Sequence, residues 1–353
     1  MPHLATQGPR RRRGRFLLIT LVVAAAAALA WSPTPIVEAQ RSVLIRMATL
    51  VPDGSSWHLI LKETAEKWKE VSGGRVRVRL YPGGVAGDDP DVVRKMRLGT
   101  LSAGVLSAVG VGEIDRSVYS LGVPLMYDSY EEVYWVQEQM KADLEAGLEK
   151  KGFIVLNWMD GGWVHFFTKK PVAVPADLQK LKLFTWAGDA EAVEVWRAGG
   201  FRPVPLPSTE IATALQTGLI EALSAPPQVA VISQFFNHAP NMTDLRWQLL
   251  LGATLITKDA WEKIPADVRP AIRQATEDAG MRLRKEIRNA EAKDLEAMKK
   301  RGLSVIPVTE AQRVEWQKLT ETLYPEIRGR VVPPEAFDKA MRLRDEYRKQ
   351  HED

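Results

Sequence analysis

Apolar and polar positions change period several times along the chain, and each change marks an element. Val43–Thr49 (VLIRMAT) is a short apolar run and predicts a buried strand. Ser55 or Ser56 caps the next segment, a helix running to Val71 with Leu61, Ala65, Trp68 and Val71 on one face. Gly73-Gly74 ends it, and Arg75–Leu80 (RVRVRL) alternates as a strand with one solvated face. Asp89 followed by Pro90 reads as an N-cap and N1 pair opening a helix to Leu98. Ser102–Val109 reads as a strand, Tyr130–Lys150 as a helix and Phe153–Trp158 as a strand. This β-α-β-α-β-α-β order predicts a mostly parallel sheet with helices on both faces.

A second series begins near Gly161, with strands at Val164–Thr168 and Leu181–Trp186 and helices at Asp189–Ala198 and Thr209–Thr217. Leu249–Thr257 is apolar again and suits a return to the first sheet. Pro265–Arg301 is a helical pattern of about 37 residues, long enough to bridge two lobes. Leu303–Ile306 and two terminal helices finish the chain. The fold class expected is α/β, with two lobes, a central ligand cleft and a long lobe-spanning helix. Lobe 1 takes residues 40–160 and about 249–285, and lobe 2 takes 161–248 and about 286–353.

Charge first misleads. The chain has 48 Lys and Arg against 44 Asp and Glu, and a pI near 9.1, which invites a nucleic-acid reading. Five arginines lie within residues 10–15, ahead of the apolar run Phe16–Ala30 and the Val37-Glu38-Ala39 stretch. That is the layout of a secretory leader over residues 1–39, with cleavage near Ala39. The run is short for a membrane span of about 20 residues. Phe16 sits one residue out of register for twin-arginine export, which favours the general route. Without the leader, 43 basic and 43 acidic side chains remain, so nucleic acid is not an expected partner. The absence of cysteine removes disulfides, thiolate nucleophiles and Cys-ligated zinc.

The search for enzyme chemistry is mostly negative. The five histidines include no pair with metal-ligand spacing, and no nucleophile elbow or P-loop is present. The glycines of Gly110-Val-Gly lack the third member of a dinucleotide fingerprint and read as a turn. Asp88-Asp89 and Glu131-Glu132 read as caps and helix-start charges. His58 reads as structural, while His165 is ambiguous. No catalytic residue, metal or cofactor is expected; the alternative from another class is a secreted enzyme using Asp160, Glu210 and Glu221. Trp57, Trp158, Trp163, Phe184 and Trp186 lie at or near predicted strand ends and suggest an aromatic-lined cleft. An occluded cleft, filled by these rings, is the other outcome they allow.

The chain also resembles a known family over nearly all its length after the leader. Ser56-Trp57-His58, Ser72–Val78 (SGGRVRV) and Tyr81–Gly84 (YPGG) are similar to the opening of the DctP-like substrate-binding proteins of TRAP transporters. Arg97–Thr100 (RLGT), Gly122–Tyr127 (GVPLMY), Leu178–Lys182 and Pro203–Gly218 (PVPLPSTEIATALQTG) follow in the family's order and spacing. The resemblance implies a periplasmic solute receptor that closes two lobes over a small ligand. Its expected partners are that solute and the small and large membrane subunits of an ion-driven permease, with the receptor itself a monomer. A ligand sensor feeding a signalling partner is the alternative.

The resemblance also implies a carboxylate-binding arginine after the Leu181 lead-in, where this chain has Phe184. A second family arginine falls at Val164, and a polar asparagine at Ala225. A carboxylate without a paired cation is costly to bury. The expected ligand is therefore neutral or aromatic, or a cation stacked on Trp163 and Trp186. The alternative is an organic acid held by a rearranged cation, Lys182 or Arg202. The expected ligand-binding residues are Trp57, Ser107, Asp160, Trp163, Val164, Phe184, Trp186, Ser208 and Ala225.

Overall fold

The computed structural model describes residue 3 and residues 42–351, so the expected leader over 1–39 and its cleavage point fall, apart from His3, outside the described residues. Among the described residues no helix is long and apolar enough to cross a membrane. In chain order the elements are β1 (Val43–Thr49), α1 (Ser56–Val71), β2 (Val76–Tyr81), α2 (Asp89–Arg97), β3 (Ala103–Ser107), α3 (Ala108–Gly112), α4 (Tyr130–Lys150), β4 (Phe153–Thr168), α5 (Pro175–Leu178), β5 (Lys182–Trp186) and α6 (Ala190–Ala198). There follow β6 (Arg202–Leu206), α7 (Ile211–Thr217), β7 (Ala222–Ala225), α8 (Pro227–Ile232), β8 (Asn241–Thr243), β9 (Gln248–Thr257), α9 (Lys258–Lys263), α10 (Arg269–Lys299), β10 (Ser304–Ile306), α11 (Glu310–Glu326) and α12 (Pro334–Gln350).

The strand order is β2-β1-β3-β9-β4-β7-β5-β6. β1 pairs parallel with β2 and β3, as a βαβ pattern requires. β9 inserts antiparallel between β3 and β4, so the expected return of this segment to the first sheet is met. The first sheet is thus mixed rather than mostly parallel, although β4 still runs in the direction of β3.

β4 is the main departure from the sequence reading. Phe153–Trp158 and Val164–Thr168 are two parts of one strand of 16 residues. The Gly161-Gly162 pair does not end it. Register against β9 instead shifts between Asp160 and Trp163, with Gly162 at φ 94°. A bulge of this kind bends a strand without breaking its ladder. β4 therefore begins in the first sheet and ends in the second, where His165 pairs with Ala225 of β7. β6 and β7 were not anticipated. Pro203 and Pro205 disguise β6, and its place at the end of the sheet tolerates them.

Caps follow the sequence closely, with one shift. The Ser55 hydroxyl accepts from the His58 amide at 3.2 Å and starts α1. At α2 the cap is Asp88, not Asp89, and Asp89 becomes the first helical residue, fully buried. β3 stops at Ser107, short of the expected Val109, because the Ser107 side chain caps α3.

The core is divided by face. Ile45, Met47, Trp68 and Val76 pack with Ile272 and Ile287 of α10 on one side of the first sheet. Leu106, Val133, Met140 and Leu255 pack on the other, joined by Phe337, Ala340 and Leu343 of α12. In the second sheet Phe166 and Phe167 point to opposite faces, as period 2 demands. Phe167 meets Leu215, Phe236 and Met298. Phe166 enters an aromatic cluster, 5.5 Å from Trp316 and 5.1 Å from Trp247 between ring centroids. α10 spans 31 residues, somewhat fewer than the pattern suggested. Its first turns pack under the first sheet, and its end, at Leu295 and Met298, enters the second core. It bridges the two sheets as expected.

Gly252 shows how closely β3 and β9 approach. A Cβ there would lie 2.5 Å from the Leu106 carbonyl oxygen. Gly252→Ala must therefore push the two strands apart, at a cost of about 1–3 kcal/mol. Urea denaturation is expected to show that loss, and an unchanged midpoint would contradict the packing described.

Candidate functional site

The carboxyl ends of β1, β3, β5 and β7 converge on one cavity of about 430 Å³. Open α/β sheets place ligands beyond such strand ends, and the volume suits a small molecule. Eight of the nine expected site residues line it: Trp57, Ser107, Asp160, Val164, Phe184, Trp186, Ser208 and Ala225. The wall is completed largely by apolar groups such as Leu61, Val105, Ile211, Leu223, Val229 and Phe235. The aromatic rings border the space without filling it, so the cleft is not occluded.

Trp163 is the exception. Its side chain is 1% exposed and packs 5.3 Å from the Tyr130 ring, outside the cavity lining. The β4 bulge changes the alternation at this point, sending Val164 toward the cavity and Trp163 into the core. Trp158 also leaves the expected cleft, with its indole N–H donating to Glu145 at 3.0 Å. A cation stacked between Trp163 and Trp186 is therefore excluded. Trp186 remains available, with its ring 5.9 Å from that of Phe184.

Neither expected substitute cation reaches the cavity. Lys182 Nζ donates to the Gly218 carbonyl and Arg202 to the Lys180 carbonyl, both at the opposite end of β5. Among the described lining residues the ionisable side chains are Asp89 and Asp160, both acids. Asp160 is fully engaged by the protein. It accepts from Arg288 at 2.7 Å, Tyr134 at 2.6 Å and the Gly162 amide at 3.0 Å, with Arg284 at 3.5 Å. Arg284 and Arg288 come from α10 and stack over the Tyr134 and Tyr130 rings. These two arginines thus face an internal carboxylate, with Arg284 Nε and Arg288 Nη1 buried and without a hydrogen-bond partner.

Contacts also join the two sides of the cavity. The Asp88 carboxylate accepts from the Ser208 amide at 2.7 Å and from its hydroxyl at 2.8 Å. Arg116 pairs with Asp189 at 3.1 Å, and the Trp57 indole donates to Gln228 at 2.8 Å. Asp88 is a cap as expected, but one that also reaches across to the strand-end segment after β6.

The remaining candidates resolve as structure rather than chemistry. The His58 ring accepts from the Gly54 amide at 3.0 Å and helps shape the loop before α1. His165 is buried on Thr243, outside the cavity lining, and burial lowers its pKa. Glu210 and Glu221 do not line the cavity, and Glu221 accepts from the Lys182 amide. Gly112 is needed because the Tyr119 ring would collide with any Cβ there.

Asp89 is the residue the sequence reading missed. It is 0% exposed, and its pKa is pushed up to about 7, chiefly by burial. Hydrogen bonds from Ser107 oppose that shift, and neighbouring Asp88 adds to it. An acid raised above its unfolded pKa keeps its proton in the fold after the unfolded chain has lost its own. Its contribution to stability therefore declines as pH rises from about 4 to about 7. Asp89→Asn is expected to flatten that part of the ligand-free melting profile. An unchanged profile would contradict a neutral buried acid.

Comparison with known proteins accords with this geometry. The model of bacterial extracellular solute-binding protein family 7, DctP, matches residues 47–329. The chain is 27% identical over 326 residues to the C4-dicarboxylate-binding periplasmic protein DctP of Rhodobacter capsulatus, covering 90% of this chain and 95% of that one. It is 26% identical over 255 residues to the 2,3-diketo-L-gulonate-binding periplasmic protein YiaO of Escherichia coli, covering 71% and 77%. The sugar acid binding protein DctPAm of Advenella mimigardefordensis, solved in complex with galactonate, shares the fold with a TM-score of 0.81 at 19% identity, over 87% of this chain and 99% of that one. With a family match across most of the described residues and two sheets meeting at one cavity, the chain belongs to the DctP family, bacterial extracellular solute-binding protein family 7, whose members are receptors and not enzymes.

Proposed function

We propose that this receptor binds a small solute without a carboxylate, neutral or aromatic in character, and delivers it to the small and large membrane subunits of a TRAP permease. The protein is then exported, cleaved near Ala39, and works in the periplasm as a monomer. The lobes divide where β4 and β9 cross between the sheets, near residues 161 and 248, with α12 packing back on α4 of the first.

One observation carries the reading: the lining of the cavity holds two acids and no base. The relatives named above are described by acidic ligands. This chain departs from the family pattern at Phe184, Val164 and Ala225, and all three side chains face the cavity. An unpaired carboxylate placed there would cost several kcal/mol. Binding would favour the closed arrangement, because a solute between the strand ends touches both sides at once.

A thermal-shift comparison tests the reading. At about 100 times Kd a ligand stabilises by roughly 2.7 kcal/mol. Neutral and aromatic solutes are expected to raise the melting temperature of the wild-type protein, while succinate and galactonate leave it unchanged. Clear stabilisation by either acid would overturn the reading. Phe184→Arg is expected to give succinate a measurable shift, since it restores a cation beside Ala225 and Val164.

A further inference from the structure

Among the described residues that line the cavity, Asp89 is the one with a buried side-chain atom lacking a hydrogen-bond partner. Asp89 Oδ2 accepts from the Ser107 amide at 2.8 Å and from its hydroxyl at 2.6 Å. Oδ1 is buried and has no hydrogen-bond partner. Gly110 leaves the room that this side chain occupies, since a Cβ there would lie 2.9 Å from the Asp89 Cβ. The Gly110 amide acts on the carboxyl and offsets burial slightly, while the geometry leaves Oδ1 without a partner. A buried acceptor left open costs about 1–3 kcal/mol, and a charged one more.

The two acids of the wall are treated differently. Asp160 receives two arginines and a tyrosine. Asp89 receives neutral donors from Ser107, and the charged group acting on it is Asp88, another acid already engaged by Ser208. The protein provides a cation for one carboxylate and none for the other. Phe184 and Trp186, also in the wall, offer ring surface to an apolar or cationic body.

We propose that the solute carries a protonated amine on an apolar or aromatic body, and that the amine donates to Asp89 while the body lies against Phe184 and Trp186. This rests on the carboxylate-free part of the reading above and replaces its neutral solute by one with a cationic head. Charge-assisted hydrogen bonds are the strong ones, so the amine, rather than the body, sets the class of solute.

The test uses two matched probe series: 2-phenylethylamine, 2-phenylethanol and 3-phenylpropionate, then hexylamine, hexanol and hexanoate. Titration calorimetry on the wild-type protein is expected to show the amines binding tighter than the alcohols. Asp89→Asn, which keeps an acceptor for Ser107, is expected to weaken the amines about 10- to 100-fold and leave the alcohols unchanged. Should that variant not fold, calorimetry of the wild-type protein near pH 6 in two buffers of different ionisation enthalpy gives a second reading. Amine binding then releases a proton from Asp89, and alcohol binding releases none. Alcohols that match the amines, with no proton release, overturn this inference and leave the non-acidic reading standing. Binding of the carboxylates overturns both. Failure of both amines to bind at millimolar concentration overturns the inference alone.

Discussion

A charge enclosed in an apolar cavity must find its counter-charge inside that cavity, because water no longer screens it. Much of the site follows from this constraint. Asp160, at the β4 bulge, meets it with Arg284 and Arg288 from α10 and the Tyr134 hydroxyl. Those arginines thus face an internal acid, while Arg284 Nε and Arg288 Nη1 are buried without a hydrogen-bond partner. Phe184 and Val164 bring apolar side chains to the same cavity, and the proposed carboxylate-free ligand follows from that wall.

The same constraint explains why the scaffold can be conventional while the site is not. The crossing of β4 and β9, the span of α10 and the aromatic cluster around Phe166 and Trp316 hold the two sheets in place. None of them depends on which groups face the cavity. Asp88 does link the two concerns, since it caps α2 and also receives Ser208 from the other side. The helix cap and the contact across the cavity therefore share one carboxylate.

Much of this was legible in the chain itself. β1 and α4 begin and end where their periodicity says, because apolar runs and caps mark both limits. Eight of the expected site residues meet at one cavity because strand ends converge in this architecture. What escaped was register. Gly161-Gly162 reads as a chain break but forms a bulge inside a continuous strand, and that single offset moved Trp163 from the cleft to the core. Pro203 and Pro205 hid an edge strand. Asp89 reads as the cap in place of Asp88 because local spacing cannot tell which of two adjacent acids caps the helix and which turns inward.

The central claim is that the cavity excludes carboxylates. Native mass spectrometry of the receptor purified from the periplasm of its own source, followed by release and identification of any co-purified solute, tests it most directly. The account predicts a solute that carries no carboxylate. Recovery of a dicarboxylate or a sugar acid, bound one to one, would contradict it.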